Sequence, residues 1–304
     1  MSGLFTYRSM RLTYRSMRLA YRPMRSTYWP MWQKIFLFTG LIFCLNAHGL
    51  TTSITTITIP TSTPTNGDKF NDYFLNLLHL ALQKTESTHG ECRLQEHSIW
   101  FNDKRRINAL VEGKLDVIWS STSAEHEALM QPIKISLLKD LTNYRLLLIR
   151  KQDQAIFSRV NRLEDLQKLK GGMNPQWRDA AIMKANQLPM VFSVNYPSFF
   201  KMLAAERFDY FSRGLYQIQA EANLFPTLNL AVEEHLILHY PNEFYFFVNK
   251  KNKLLAERIE QGLTIALADG SFDRLFNGVP QYRWGMEQLA NPSRVVIALV
   301  TPEK

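Results

Sequence analysis

The stretch Glu206-Arg-Phe-Asp-Tyr-Phe-Ser-Arg-Gly214 constrains the fold more than any other part of the sequence. Its aromatic side chains are typical of a buried strand, and the final glycine is typical of the turn that ends one. The preceding segment 197–205 has apolar residues at helical spacing, so helix and strand form one α/β unit. Ligands of open α/β sheets bind beyond the carboxyl ends of strands, and we therefore expect Arg213 to face a ligand.

The rest of the chain shows the same alternation of strands and helices, which predicts an α/β fold. A glycine- and proline-containing loop at 171–179 is expected to open onto a helix. The predicted strands are 53–59, 92–96, 115–119, 144–150 and 243–248, and the predicted helices are 72–84, 106–113, 163–171, 179–186 and 253–268.

The charge of the chain argues against a nucleic-acid partner. The formal net charge is +9, but seven positive charges lie within the first 34 residues, which contain no acid. The remainder carries only +2, so the short basic clusters at 104–106 and 250–253 are interpreted as solvated faces. No phosphate-binding glycine loop, nucleophile elbow or zinc-metalloprotease motif is present in the sequence, and no cofactor is expected.

The amino terminus predicts export. Residues 31–49 have a basic start, a short apolar run and a small-residue exit, which is typical of a signal peptide cleaved after Ala47 or Gly49. An uncleaved anchor is the alternative, although the apolar run is short for a bilayer. Cleavage leaves Cys92 as the sole cysteine, so no internal disulfide is expected.

Residues 1–30 repeat the heptad Thr-Tyr-Arg-Ser-Met-Arg-Leu, twice without change and then in degraded copies. This extension is not expected to be structural. One interpretation is duplicated coding sequence upstream of a start at Met31, and the other is a basic arm on an anionic membrane, which Pro23 and Pro30 would interrupt as a helix.

The order of these elements resembles that of the type 2 periplasmic solute-binding proteins. The motifs that carry the resemblance are the helix, glycine and strand of 106–119, the turn 121–126, the crossing strand 144–150, the Leu-x-Asp-Leu-x-x-Leu-x-Gly pattern of 163–171 and Ala-Asp-Gly-Ser-Phe-Asp-Arg-Leu at 268–275. The chain is most similar to solute-binding family 3, which supplies polar amino acid ABC importers. Within it, segments 177–179 and 207–214 resemble a divergent proteobacterial group.

The resemblance implies two lobes with a ligand between them and hinge strands near 144–150 and 243–248. It places the first part of lobe 1 at 50–144, lobe 2 with the hinge strands at 145–248, and the return to lobe 1 with a carboxyl-terminal tail at 249–304. It further implies a monomeric periplasmic protein of a Gram-negative cell that binds a small molecule. An importer permease or a membrane sensor is the implied partner.

The residues that bind an amino acid in this family are altered here. The position of the arginine that grips the α-carboxylate falls on His126, and the position of the acidic residue that takes the amino group is occupied by Arg213 and Gly214. A guanidinium binds carboxylate or phosphate and repels ammonium, so the sequence favours a polar or anionic ligand over a simple α-amino acid.

The predicted ligand site combines residues of both lobes with Arg213 as the main cation. Lobe 1 contributes strand-end and turn residues, and lobe 2 contributes a loop whose N–H groups open a helix. Alternatives remain for Arg213, which could pair with Glu221 or Asp209, and for the tryptophans, which could pack in the core. The predicted contacts are Trp119, Thr122, His126, Asn174, Trp177, Arg178 and Arg213.

Two rival functions follow from other residues. A secreted enzyme on the same fold, dehydratase-like or cell-wall related, could use Glu125, His126 and Glu127 as acid and base, although an ordinary helix start is favoured. His235 and His239 share a face and suggest a metal site that lacks a third ligand. An orphan receptor that signals to a membrane sensor is the last alternative.

Overall fold

The computed structural model describes residues 54–61, 69–99 and 103–302. The predicted repeat and signal peptide lie outside these residues. By their internal contacts, these described residues belong to one compact unit. None of the helices in the described ranges is long and apolar enough to cross a membrane.

Strands are distributed along the whole of the described chain. They are β1 (Thr55–Ile59), β2 (Cys92–Glu96), β3 (Val117–Ser121), β4 (Gln131–Ile133), β5 (Tyr144–Arg150), β6 (Gly171–Met173), β7 (Met190–Phe192), β8 (Tyr210–Gly214), β9 (Leu230–Val232), β10 (Leu236–His239), β11 (Phe244–Val248) and β12 (Val295–Ala298).

Helices separate most of these strands, as the sequence predicts for an α/β protein. They are α1 (Lys69–Lys84), α2 (Glu86–His89), α3 (Asp103–Val111), α4 (Ala124–Leu129), α5 (Gln154–Phe157), α6 (Leu163–Leu166), α7 (Arg178–Ala185), α8 (Tyr196–Ala204), α9 (Ile218–Ala222), α10 (Lys253–Ala268), α11 (Ser271–Asn277) and α12 (Pro280–Leu289).

The sheets divide the described chain into two lobes. In lobe 1, β1 pairs in parallel with β2, and β11 lies between β3 and β4 with antiparallel pairing to both. In lobe 2, the strand order is β12-β10-β5-β8-β6-β7, and β9 pairs with the second half of β5. Helices α1 and α10 pack against each other in lobe 1.

The passages between the lobes differ from the implied hinge strands. The strand 144–150 lies wholly in the lobe 2 sheet, and 244–248 lies in the lobe 1 sheet, because each is held by its neighbouring strands along its length. The chain therefore crosses between the sheets at 134–143 and 240–243, and a third time between β11 and β12, within 249–294. The carboxyl-terminal strand β12 pairs with β10, which places this part of the tail in lobe 2.

Segment 171–173 was expected to be a loop, but it is the strand β6 between β7 and β8. The glycines are needed there for close packing rather than for a turn. A Cβ on Gly172 would lie 2.5 Å from Cζ of Phe208, so any larger residue would collide with this ring. The predicted strand and helices on either side are present as α6, α7 and β8.

Aromatic residues fill the interior of both lobes. One cluster of buried side chains includes Phe74 and Trp119 of lobe 1 and Phe199 and Phe211 of lobe 2, so it extends through both lobes. A second cluster lies on the other face of the lobe 2 sheet, where Tyr210 packs edge-on against Phe157. The face of β8 that carries Phe211 is the face that also carries Arg213.

Candidate ligand site

The candidate site lies where strands of the lobe 2 sheet end. Strands β6, β8 and β10 all run antiparallel to β5 or parallel to β8, so their carboxyl ends meet at one edge of the sheet. The segments that follow them begin at Asn174, Leu215 and Tyr240. This is the edge at which open α/β sheets bind ligands.

Arg213 forms a buried ion pair with Glu221 at this edge. Its Nε donates to one carboxylate oxygen at 2.7 Å and its Nη2 to the other at 2.6 Å, which is bidentate geometry. Both side chains are about nine-tenths buried, at 10% and 9% exposure. Of the two roles considered for Arg213, the structure shows the ion pair with Glu221.

Three aromatic rings surround the guanidinium of Arg213. Its Cζ lies 4.7 Å from the ring centroid of Trp177, 4.8 Å from that of Phe211 and 5.4 Å from that of Tyr196. The Tyr196 hydroxyl also donates to Glu221 at 2.7 Å. Such cation–π contacts stabilise a desolvated guanidinium, so Arg213 holds these rings in place.

Trp177 is half-buried and has core packing on one side. Its ring is stacked with that of Phe211, at 6.2 Å between centroids and 18° between planes. The core-packing and ligand-wall interpretations of this residue are therefore compatible. Asn174, which precedes it, is buried, and its side-chain oxygen accepts from the backbone N–H of Gln176 at 2.9 Å.

A second, largely buried ion pair lies on the opposite face of the sheet and was not predicted from the sequence. Arg145 Nη2 donates to Asp179 at 3.2 Å, and the Tyr240 hydroxyl donates to the same carboxylate oxygen. Burial works to raise the pKa of Asp179, but the charge of Arg145 and the bond from Tyr240 hold that pKa below its ordinary value. The sequence signal for this pair was Arg145 within the apolar run 144–150, because a buried arginine requires a carboxylate partner.

Tyr216 lies close to both ion pairs. Burial raises the pKa of its hydroxyl, the charges of Arg145 and Arg213 act to lower that pKa, and the charges of Asp179 and Glu221 act to raise it. Each arginine is matched by one carboxylate, so these four side chains add no net charge to the site.

Arg178 is the cation that these pairs do not neutralise. It is the first residue of α7, it is half-buried, and its Nη1 donates to the side-chain oxygen of Asn242 at 3.0 Å. Desolvation lowers the pKa of its guanidinium. Among the residues that the structure describes, Arg178 forms no ion pair, although the charge of the neighbouring Asp179, which is bound to Arg145, acts to raise its pKa.

The predicted contacts of lobe 1 lie at the end of β3 and at the start of α4. Trp119 is buried, and its indole N–H donates to Asn71 at 3.1 Å. The Thr122 hydroxyl donates to Glu127 at 2.7 Å. His126 Nδ1 lies 2.8 Å from the backbone oxygen of Ser121, and its backbone N–H is capped by the Ser123 hydroxyl.

The residues considered for an enzyme or for a metal site have ordinary structural contacts. Glu127 also pairs with Lys134 at 2.9 Å, so this carboxylate, like His126, belongs to the packing around α4. The His239 ring packs against Tyr144, at 4.6 Å between centroids. No group of three or more potential metal ligands occurs within the described ranges.

The comparisons with known proteins show similarity in structure alone. Neither a protein-family model nor a curated protein sequence matches the chain. A probable amino-acid ABC transporter extracellular-binding protein from Bacillus subtilis has a TM-score of 0.58 at 16% identity, covering 74% of this chain and 97% of its own.

Two further solved structures are similar to a comparable degree. An ancestral amino acid-binding protein, described as a precursor of cyclohexadienyl dehydratase, has a TM-score of 0.53 at 13% identity, covering 74% of this chain and 94% of its own. A histidine kinase sensor domain with similarity to periplasmic binding proteins has a TM-score of 0.52 at 14% identity, covering 75% of this chain and 96% of its own.

These similarities define the class of fold. The chain has the two-lobed type 2 fold of periplasmic amino-acid-binding proteins, which confirms the resemblance at the level of architecture. The majority of the similar structures are described as binding proteins. One of these is described as the precursor of an enzyme, and another similar structure is a sensor domain.

Proposed function

We propose that this protein is an exported solute-binding protein that captures a small anionic or strongly polar molecule between its two lobes. The observation that carries the proposal is Arg178, a half-buried guanidinium at the start of α7 whose hydrogen bond goes to a neutral amide. The adjoining Trp177 packs against Arg213, whose charge is matched by Glu221, and the adjoining Asp179 matches the charge of Arg145.

The charge distribution supports an anionic ligand. Burial makes an unneutralised guanidinium costly, and a carboxylate or phosphate that binds it bidentately would remove this cost. The amino-terminal N–H groups of α7 would add favourable partial charge. In our proposal Arg178 therefore takes the role for which the sequence favoured Arg213, and Arg213 supports Trp177.

The same geometry disfavours a simple α-amino acid. An ammonium group is bound best by a carboxylate that is not already paired. At this edge of lobe 2, Asp179 is bound to Arg145 and Glu221 to Arg213. Thr122 and His126 of lobe 1 are proposed to complete the site with polar contacts, whereas Trp119 is buried against Phe74 and takes the core-packing role.

We further propose that the protein is periplasmic and delivers its ligand to an ABC-type importer. The sequence of 31–49 supports export. Similarity to an importer's extracellular-binding protein supports the importer, and similarity to a sensor domain supports the alternative of signalling to a membrane sensor.

A thermal-shift screen of the purified protein tests the proposal. The compounds are amino acids, dicarboxylates, phosphorylated metabolites and peptidoglycan fragments. A ligand at 100 times its Kd stabilises the native state by about 2.7 kcal/mol, which corresponds to a Tm increase of roughly 5 to 10 °C for a unit of this size. We expect the largest increases from anions.

The matched variants are Arg178→Ala and Arg159→Ala, the latter an exposed arginine of the same lobe. Anion-dependent shifts should be lost in Arg178→Ala and retained in Arg159→Ala. Equal shifts in both variants would show that the anion binds elsewhere. Chromatography of each compound after incubation would reveal turnover, which would favour the enzyme instead.

A further inference from the structure

A chain of hydrogen bonds links the proposed site residues of the two lobes through the crossing segments. It begins in lobe 2, where Arg178 donates to the side-chain oxygen of Asn242. It ends in lobe 1, where the backbone N–H of Thr122 donates to the backbone oxygen of Glu243 at 2.8 Å. Asn242 and Glu243 both lie in the passage at 240–243.

Asn143, in the passage at 134–143, connects the two ends of this chain. Its side-chain oxygen accepts from the backbone N–H of Asn242 at 2.8 Å, and its side-chain N–H₂ donates to the Glu243 carboxylate at 3.2 Å. Its backbone oxygen accepts from the N–H of Tyr240 at 3.0 Å. The same N–H₂ group also donates to Asp140 Oδ1 at 3.4 Å within its own passage. One amide side chain thus uses both its acceptor and its donor to hold the passage at 240–243.

We propose that Asn143 is the positioning residue that sets Arg178 of lobe 2 relative to Thr122 of lobe 1. This inference rests on the proposed function for the role of Arg178 in binding. The physical reason is that an amide places an acceptor and a donor at fixed separation, so both contacts must form together. A rotation of one lobe that stretches either hydrogen bond would therefore shift both Arg178 and Thr122.

The design of the test uses a reciprocal exchange of donor and acceptor. In Asn143→Asp the acceptor for Asn242 is kept, but the donor is replaced by a carboxylate oxygen that repels Glu243. Because Asp140 accepts from the same N–H₂ at 3.4 Å, Asp140→Asn is introduced into the parent protein and into both variants. In the double variant Asn143→Asp/Glu243→Gln the Gln amide donates to the Asp carboxylate, so the bond is restored in the opposite direction. The measurements are made at a pH where both carboxylates are ionised.

The first measurement needs no bound molecule. Amide hydrogen exchange is followed at Asn242 and Thr122 in the ligand-free protein. We expect both amides to exchange about five- to tenfold faster in Asn143→Asp, because the repelled Asp side chain no longer holds the passage at 240–243, and to recover in the double variant. Unchanged protection of Thr122 in Asn143→Asp, or no recovery in the double variant, would overturn the proposal.

The second measurement is the affinity for succinate and for inorganic phosphate by titration calorimetry. We expect about tenfold weaker binding in Asn143→Asp and recovery to within about twofold in the double variant. A residue with a merely structural role would lower Tm and leave the affinity of the folded protein unchanged, which would contradict the inference.

These measurements separate the inference from the proposed function. If Arg178→Ala removes succinate or phosphate binding while Asn143→Asp leaves it intact, the positioning role is refuted and the function stands. If the wild-type protein binds neither anion, the proposed anion site loses its support, and the exchange measurement still decides the role of Asn143.

Discussion

Glu221→Ala removes the carboxylate from the buried ion pair with Arg213 and tests whether this arginine is held by the protein rather than available to a ligand. The variant leaves a guanidinium about nine-tenths buried without its bidentate partner. The hydroxyl of Tyr196, which donates to the same carboxylate, also loses its acceptor.

The magnitude follows from the burial of the pair. Removing one partner of a buried ion pair costs about 3–5 kcal/mol, because the remaining charge is desolvated and uncompensated. For a unit of this size, this corresponds to a decrease in Tm of roughly 6 to 20 °C. The double variant Arg213→Met/Glu221→Leu removes both charges and should be far less destabilised than Glu221→Ala.

The assay is urea denaturation of each variant, with the free energy of unfolding compared at one temperature. Glu112→Ala is the control, since Glu112 lies 2.6 Å from Lys114 but both side chains are more than half exposed, and its loss should cost less than about 1 kcal/mol. If Glu221→Ala cost no more than Glu112→Ala, Arg213 would be effectively solvated and our assignment of its role would fail.

Two further predictions concern other buried contacts. The pKa of Asp179 is lower in the folded protein than its ordinary value, so its contribution to the free energy of unfolding is present above about pH 4 and is lost as pH falls through the folded pKa. Asp179→Asn is already destabilised at neutral pH and should lose less stability than the wild type when urea denaturation is repeated at decreasing pH. An equal loss in both proteins would contradict this prediction. A Cβ on Gly262 of α10 would lie 1.9 Å from the backbone oxygen of Ala81 in α1. Gly262→Ala should therefore lower the free energy of unfolding by about 1–3 kcal/mol, because it forces the two helices apart. In chemical denaturation, the control Gln261→Ala, at an exposed position of the same helix, should be near neutral.

Patterns of apolar residues were sufficient to predict most elements around the site. The strand at Tyr210–Gly214 and the helix before it have aromatic side chains at the spacing that their burial requires. The helix Lys253–Ala268 has the bounds that its sequence predicts. Such elements are local, and the information that defines them lies within a few turns or residues.

The strand at Gly171–Met173 could not be predicted from its own residues. Glycines usually indicate a turn, and the reason for them here is the ring of Phe208, which lies 36 positions away in the sequence. Pairing partners and close contacts of this kind depend on the tertiary fold, which overrides local preference.

The position of Arg213 at the end of a strand was predicted correctly, but its partner was not settled by the sequence. The sequence indicates that Arg213 lies at a strand end, and Glu221 was named as one possible partner. It does not show which of three nearby arginines is neutralised, because the partners of Arg145 and Arg178 are 34 and 64 residues distant from them. The role proposed for Asn143 depends on a contact across 100 residues.

The role proposed for Arg178 is to bind an anionic ligand, while Arg213 is held in its ion pair by Glu221. Titration calorimetry of the strongest anion from the screen, against the wild-type protein, Arg178→Ala and Arg159→Ala, tests it most directly. Because a hydrogen bond to a charged group contributes about 1.5–3 kcal/mol, we predict that Arg178→Ala binds roughly ten- to a hundredfold more weakly and that Arg159→Ala binds as the wild type does. Wild-type affinity in Arg178→Ala would contradict the account.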